Sequence, residues 1–145
     1  MPYLSHSIQF FADPEKLFEC CRDVSKWANF MPAVVRAEFI ETAELSDLVL
    51  ITAEANNEIW TWKSKRRIKR DELTIAFERV NPIPPIEYMR GMWRIDKLTN
   101  GEVSLVLTHD FKVDQNAEME QFITESIKRN ASRDLQALKN NASTQ

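Results

Sequence analysis

Only two glycines, Gly91 and Gly101, occur in this chain of 145 residues. A phosphate-cradling loop needs glycines clustered so that backbone N–H groups can converge on an anion, and neither that loop nor a G-x-S-x-G nucleophile elbow is present. The two cysteines, Cys20 and Cys21, are adjacent and lack partners at metal-ligand spacing. That argues against a disulfide framework and a zinc site, leaving buried or semi-buried thiols and no metal. No segment approaches the roughly 18 apolar residues of a membrane span. The start "MPYLSHSIQF" lacks the basic segment, apolar run and cleavage site of a leader, so a cytoplasmic protein without a membrane partner is expected. Positive charge is not in excess either: 22 acidic against 19 basic residues give a net charge of -3. Such a balance argues against a protein that tracks nucleic-acid phosphates. With no repeat, no low-complexity stretch and no shift in composition, residues 1–145 read as a single domain, and 43% hydrophobic residues suffice for a real core.

What is present is a long series of period-two segments. "YLSHSIQFF" reads as a strand, and "ADPEKLFECCRD" as a helix with Asp13 as cap and Pro14 at its first position. A short second helix fits "VSKWANFM", ending before Pro32. From about Val34 to Val113, "VVRAEFIE", "DLVLITAEA", "EIWTWKSKRRIK", "LTIAFERV", "IEYMRGMWRID" and "VSLVLTHDFKV" alternate as strands, separated by short breaks that imply antiparallel hairpins. A long helix from Asn116 to Asn140 carries the apolar stripe Met119, Phe122, Ile123, Ile127, Ala131, Leu135 and Leu138, and "NNASTQ" reads as a frayed tail. The fold class is therefore α+β: about seven antiparallel strands curved around a long C-terminal helix, with two small helices after the first strand. Any gap between sheet and helix becomes a cavity.

Three polar residues fall on faces that should be apolar. In "EIWTWKSKRRIK", Trp60, Trp62, Ser64, Arg66 and Ile68 share one side, while Lys63, Lys65, Arg67 and Lys69 share the other. A guanidinium on the aromatic side needs acceptors or a cation–π contact with Trp60 or Trp62; its ordinary alternative is to snorkel to the sheet edge. His109 continues the series Val103, Leu105 and Leu107, where the alternative is a core histidine with a backbone partner. At about 100° per residue, Asp134 lies roughly 20° from Ile123, near the middle of the helix stripe, with Asn130 on the same line. A carboxylate there is rarely left without a partner, although a residue at the stripe's edge reaches solvent. His6 shares the parity of Leu4 and Ile8 and has no evident acidic partner, so it reads as structural.

Trp93 and Met89 share the inward parity of their strand and join Trp60, Trp62 and Ser64 as walls. Trp27, Phe30 and Met31 could close the mouth, and Tyr88 and Asn130 join the expected pocket with Arg79, which continues the series Leu73, Ile75 and Phe77 but sits at a strand end, where an ordinary surface arginine is the alternative. Ordinary core packing is the alternative for each aromatic taken singly. Together they suggest a pocket for a flat or extended carbonyl-bearing ligand.

The stretches "WTWKSKR", "YMRGMWRI", "LVLTHDFKV" and "RNASRDLQAL", in this order across essentially the whole chain, resemble the aromatase/cyclases of bacterial type II aromatic polyketide synthases, within the START-like (SRPBCC) helix-grip superfamily. The resemblance implies a pocket that folds an acyl carrier protein-tethered poly-β-ketone and closes its first aromatic ring without a cofactor. It also implies contacts with the acyl carrier protein and other synthase subunits. The family's pocket arginine matches Arg66, its strand histidine His109 and its helix aspartate Asp134. Having both His and Asp is most similar to the monodomain subgroup that joins carbons seven and twelve. Val34 stands where some members carry a tyrosine, and "NPIPPIEY" is unusually proline-rich.

On this reading His109 is the general base, Asp134 bonds its other ring nitrogen, and Arg66 takes up the developing negative charge. The alternatives are a non-catalytic carrier of a hydrophobic ligand such as a lipid or quinone, and a structural subunit that shields an intermediate. The basic face Lys63, Lys65, Arg67 and Lys69 either docks an acidic carrier protein or is an ordinary solvated face.

Overall fold

In the computed structural model, which describes residues 2–143, seven strands form one antiparallel sheet. They are β1 (Tyr3–Phe10), β2 (Val34–Thr42), β3 (Ser46–Ala55), β4 (Glu58–Lys69), β5 (Thr74–Val80), β6 (Ile86–Lys97) and β7 (Val103–Val113). Their order is β1-β7-β6-β5-β4-β3-β2, so each strand from β2 onward pairs with its sequence neighbour and β1 crosses to the far edge beside β7. The crossing is made by α1 (Pro14–Arg22) and a 3-10 helix (Val24–Asn29), and α2 (Ala117–Ser143) follows β7.

The helix starts follow local chemistry. Asp13 accepts from the Glu15 amide at 3.0 Å with Pro14 at the first position, and Asn116 accepts from the Met119 amide at 2.9 Å. Each satisfies an amide that the first turn leaves without an intrahelical partner. The second expected helix is shorter and tighter than its sequence indicates, a 3-10 segment capped by Asp23 that ends at Asn29. The terminal helix is longer than expected: Asn141 to Ser143 of the anticipated tail are helical. Ala142 is buried there, and Asn141 reaches Cys20 Sγ at 3.4 Å, so the last turn is docked. Thr144 and Gln145 lie outside the described residues.

Between β3 and β4, Asn56 and Asn57 both have positive φ, 51° and 66°. This two-residue turn matches the twist of its strands and fixes their register, with Ala55 opposite Glu58. The curved sheet and α2 enclose two apolar clusters. The larger contains Leu17, Phe18, Val24, Ile75, Leu105, Leu135 and Leu138; the smaller gathers Met89, Phe111 and Ile123 near the start of α2. Each fully buried Leu or Phe contributes roughly 1.5–3 kcal/mol. Residues of both clusters line a cavity between sheet and helix. Among the described residues no helix is long and apolar enough to cross a membrane.

Candidate functional site

The cavity measures about 200 Å³, and its walls are mainly apolar. Twelve of the fourteen residues expected at the site line it: Trp27, Met31, Trp60, Trp62, Ser64, Arg66, Arg79, Met89, Trp93, His109, Asn130 and Asp134. Tyr88 does not. With Met89, Gly91 and Trp93 facing in, period two sends Tyr88 to the outer face, where the Arg90 guanidinium lies 4.5 Å above its ring. Phe30 does not line it either. Because the 3-10 helix ends at Asn29, Phe30 caps it and lines a separate groove with Ser132, Arg133 and Gln136 on the flank of α2.

Cross-strand register assembles the floor. Asp47, Arg66, Phe77, Gly91 and His109 are successive partners across β3, β4, β5, β6 and β7. Arg66 is buried, but not as an unpaired cation among tryptophans. Its Nε and Nη2 bind Asp47 Oδ1 and Oδ2, both at 2.8 Å, in a two-point fork. Nη2 also donates to the Arg22 carbonyl at 2.6 Å and Nη1 to the Cys21 carbonyl at 3.2 Å. Four of its five N–H groups are thus committed to protein acceptors. Its aromatic contact is Phe39, at 5.9 Å, rather than Trp60 or Trp62. Arg66, expected beside Trp60 and Trp62 as the holder of developing charge, lines the cavity, but most of its donors tie β3 and β4 to the end of α1.

Arg79 has the environment expected of Arg66. It sits opposite Ser64, one inward position further along the sheet, and its guanidinium lies 4.4 Å from the centroid of Trp62. Its Nε is buried without a hydrogen-bond partner. Burial lowers its pKa to about 10, which leaves it charged at neutral pH.

His109 packs edge-on to Phe77 at 5.7 Å, and its Nδ1 is buried without a partner. Burial first, then the nearby His6 and Arg79, lower its pKa to about 4. The imidazole is therefore neutral around pH 7 and able to accept a proton. His6, whose own Nδ1 is buried without a partner, joins this neighbourhood from β1. Asp134 Oδ1 is also buried and without a partner. Burial raises its pKa to about 7, opposed by Arg133. The expected His109–Asp134 hydrogen bond is absent among the described residues, so the imidazole and the carboxyl face the cavity separately, from the sheet and from the helix.

Gly91 shapes the floor. A Cβ there would collide with the Thr108 carbonyl and lie 2.6 Å from Phe77 Cζ. Only a residue without a side chain lets Phe77 reach across to His109. At the far end, Asn56 donates to Ser126 Oγ at 2.9 Å and accepts from Arg129, while Asn130 donates to the Glu54 carbonyl at 3.2 Å. These bonds fasten the β3–β4 turn to α2 beside Trp60, which packs on Phe122 at 5.9 Å. Opposite, Trp27 meets Trp93 at 6.2 Å. Trp27 is held by a 2.9 Å bond from Nε1 to the Cys20 carbonyl.

The chain is 30% identical over 134 residues to the granaticin polyketide synthase bifunctional cyclase/dehydratase of Streptomyces violaceoruber, covering 92% of this chain and 41% of that protein. It therefore spans about two fifths of that relative's length. A putative polyketide cyclase of Streptomyces cyaneus is 22% identical over 132 residues, covering 89% of this chain and 86% of that one. Among solved structures, the Zhui aromatase/cyclase of Streptomyces sp. R1128 superimposes with a TM-score of 0.89 at 24% identity, over 98% of this chain and 93% of that one. This likeness establishes the helix-grip fold. The sequence pattern of the family described as "Polyketide cyclase / dehydrase and lipid transport" matches residues 12–138, and the chain belongs to that family.

Proposed function

We propose that this chain is an aromatase/cyclase that closes the first ring of a poly-β-ketone, joining carbons seven and twelve, and dehydrates it. The observation that carries this reading is the pair of unpartnered titratable groups in a mainly apolar cavity: His109 neutral, Asp134 with its pKa raised to about 7. A carrier needs apolar walls but no base or acid buried against them. The relatives named for polyketide cyclisation point the same way.

In the proposed reaction His109 takes a proton from a methylene flanked by two ketones, and the enolate carbon attacks the distant carbonyl. Asp134 gives its proton to the resulting alkoxide. Imidazolium then protonates the departing hydroxyl while the Asp134 carboxylate takes the second proton from the same carbon. Water leaves, and both groups return to their starting states. Trp60, Trp62 and Trp93 hold the curled chain, which matters because the ketones are chemically near-equivalent. Arg66 shapes the wall through Asp47.

The substrate is proposed to arrive on an acyl carrier protein. Lys63, Lys65, Arg67 and Lys69 are exposed and, among the described residues, make no ion pair. Such a face suits an acidic partner. The test is the product profile of a reconstituted minimal polyketide synthase with this protein, without it, and with His109→Ala. A shift from shunt products to one C7–C12 pattern, lost in the folded variant, is expected. An unchanged profile with the wild-type protein would overturn cyclisation in favour of ligand carriage.

A further inference from the structure

We propose that Arg79, rather than Arg66, is the guanidinium that meets the substrate, and that it binds the two oxygens of a 1,3-diketone in its enolate form. This rests on the cyclase reading above and deepens it. The two arginines occupy adjacent strands and face the same cavity, Arg66 opposite Phe77 and Arg79 opposite Ser64. Their surroundings differ. Arg66 has a buried carboxylate and two carbonyls as partners. Arg79 has no hydrogen bond and no carboxylate partner among the described residues, and its one close companion is the face of Trp62.

A guanidinium does not lose its proton at neutral pH, and burying its Nε–H without an acceptor, as in half-buried Arg79, is costly. The Trp62 face offsets part of that cost and orients the plane, but it occupies none of the N–H groups, which lie along the edge. A planar anion with two oxygens on one edge fits such a fork, as a carboxylate does. The delocalised enolate of a 1,3-diketone has that shape and charge. Arg79 is also near enough to His109 for its charge to lower the imidazole pKa. Proton removal at His109 therefore creates negative charge beside a cation without other acceptors, where fixed donors act most strongly.

The test uses benzoylacetone, whose enolate absorbs at longer wavelength than its enol, titrated by absorbance with and without excess full-length protein. Wild type is expected to lower the probe's apparent pKa by about one unit, roughly tenfold in relative affinity for the enolate. Arg79→Gln should abolish the shift and Arg79→Lys should retain only part of it, with folding of each checked by circular dichroism. No shift with wild type, an undiminished shift with folded Arg79→Gln, or an undiminished shift with Arg79→Lys overturns the proposal. The reconstituted synthase separates this from the parent reading. A wild-type protein that moves the probe's pKa but not the product profile leaves the enolate site standing and removes the cyclase. Cyclisation that survives in Arg79→Gln removes Arg79 and keeps the cyclase.

Discussion

Replacing Asp47 by Ala should be among the most damaging single changes in this protein, although Asp47 is no part of the proposed chemistry. Both members of its pair are covered, with the Arg66 and Asp47 side chains 2% and 4% exposed. Removing the carboxylate leaves a buried guanidinium with carbonyl acceptors but no counter-charge. Breaking a buried pair from one side costs about 3–5 kcal/mol. At a few degrees per kcal/mol for a chain of this size, that is a fall in Tm of roughly 10 °C. Urea and thermal unfolding of Asp47→Ala, Arg66→Met and the double variant Asp47→Leu/Arg66→Met would measure it. The double variant should lose much less than the sum of the single losses, because it leaves no orphaned charge. An Asp47→Ala protein within about 1 kcal/mol of wild type would refute the view that this pair holds β3, β4 and α1 together. Arg66→Lys should fail in the same way, through stability, since an ammonium does not reproduce the fork.

Gly91→Ala should displace Phe77 and the Thr108 carbonyl, destabilising the fold by about 1–3 kcal/mol and altering ring regiochemistry; unchanged stability and products would show that the floor yields freely. Turnover should be bell-shaped with pH. It falls at the acid end as His109 protonates near 4 and at the basic end as Asp134 ionises near 7, and activity that stays flat to pH 9 would remove Asp134 as the acid. Stability provides an independent check of sign. Because the folded Asp134 pKa is raised from 3.8 to about 7, the stability its proton confers is full below 3.8 and lost as pH rises to about 7. Asp134→Asn should therefore gain on wild type in chemical denaturation above pH 7, and no gain would mean the carboxylate is solvated.

The fold was legible because its determinants are local and periodic. Alternation in β4 and β7 and the helical stripe of α2 each state which face is buried, and short breaks between strands leave antiparallel hairpins as the simplest connection. Ends were less legible. Val24 to Met31 reads as an ordinary helix, yet capping by Asp23 and the turn into β2 allow only a 3-10 segment ending at Asn29. The last turn of α2 looked like tail because its polar residues dominate. Burial of Ala142 in the larger apolar cluster extends it, and that is a tertiary effect.

Facing and pairing are different questions, and period two answers only the first. Period two put Arg66, Arg79 and His109 on the inner side of the sheet, and all three line the cavity. It should also have excluded Tyr88, which has the opposite parity from Met89 in the same strand. What facing does not state is which inward arginine already has a partner. That answer lay in the turn Asn56-Asn57. Two asparagines between alternating segments specify a two-residue hairpin with positive φ, and this puts Ala55 opposite Glu58. Eight residues back along β3 and eight forward along β4, Asp47 meets Arg66. No acidic residue stands in the corresponding position for Arg79, whose partner on β4 is Ser64. The arginine without a carboxylate opposite it is therefore the one whose charge remains available to a ligand.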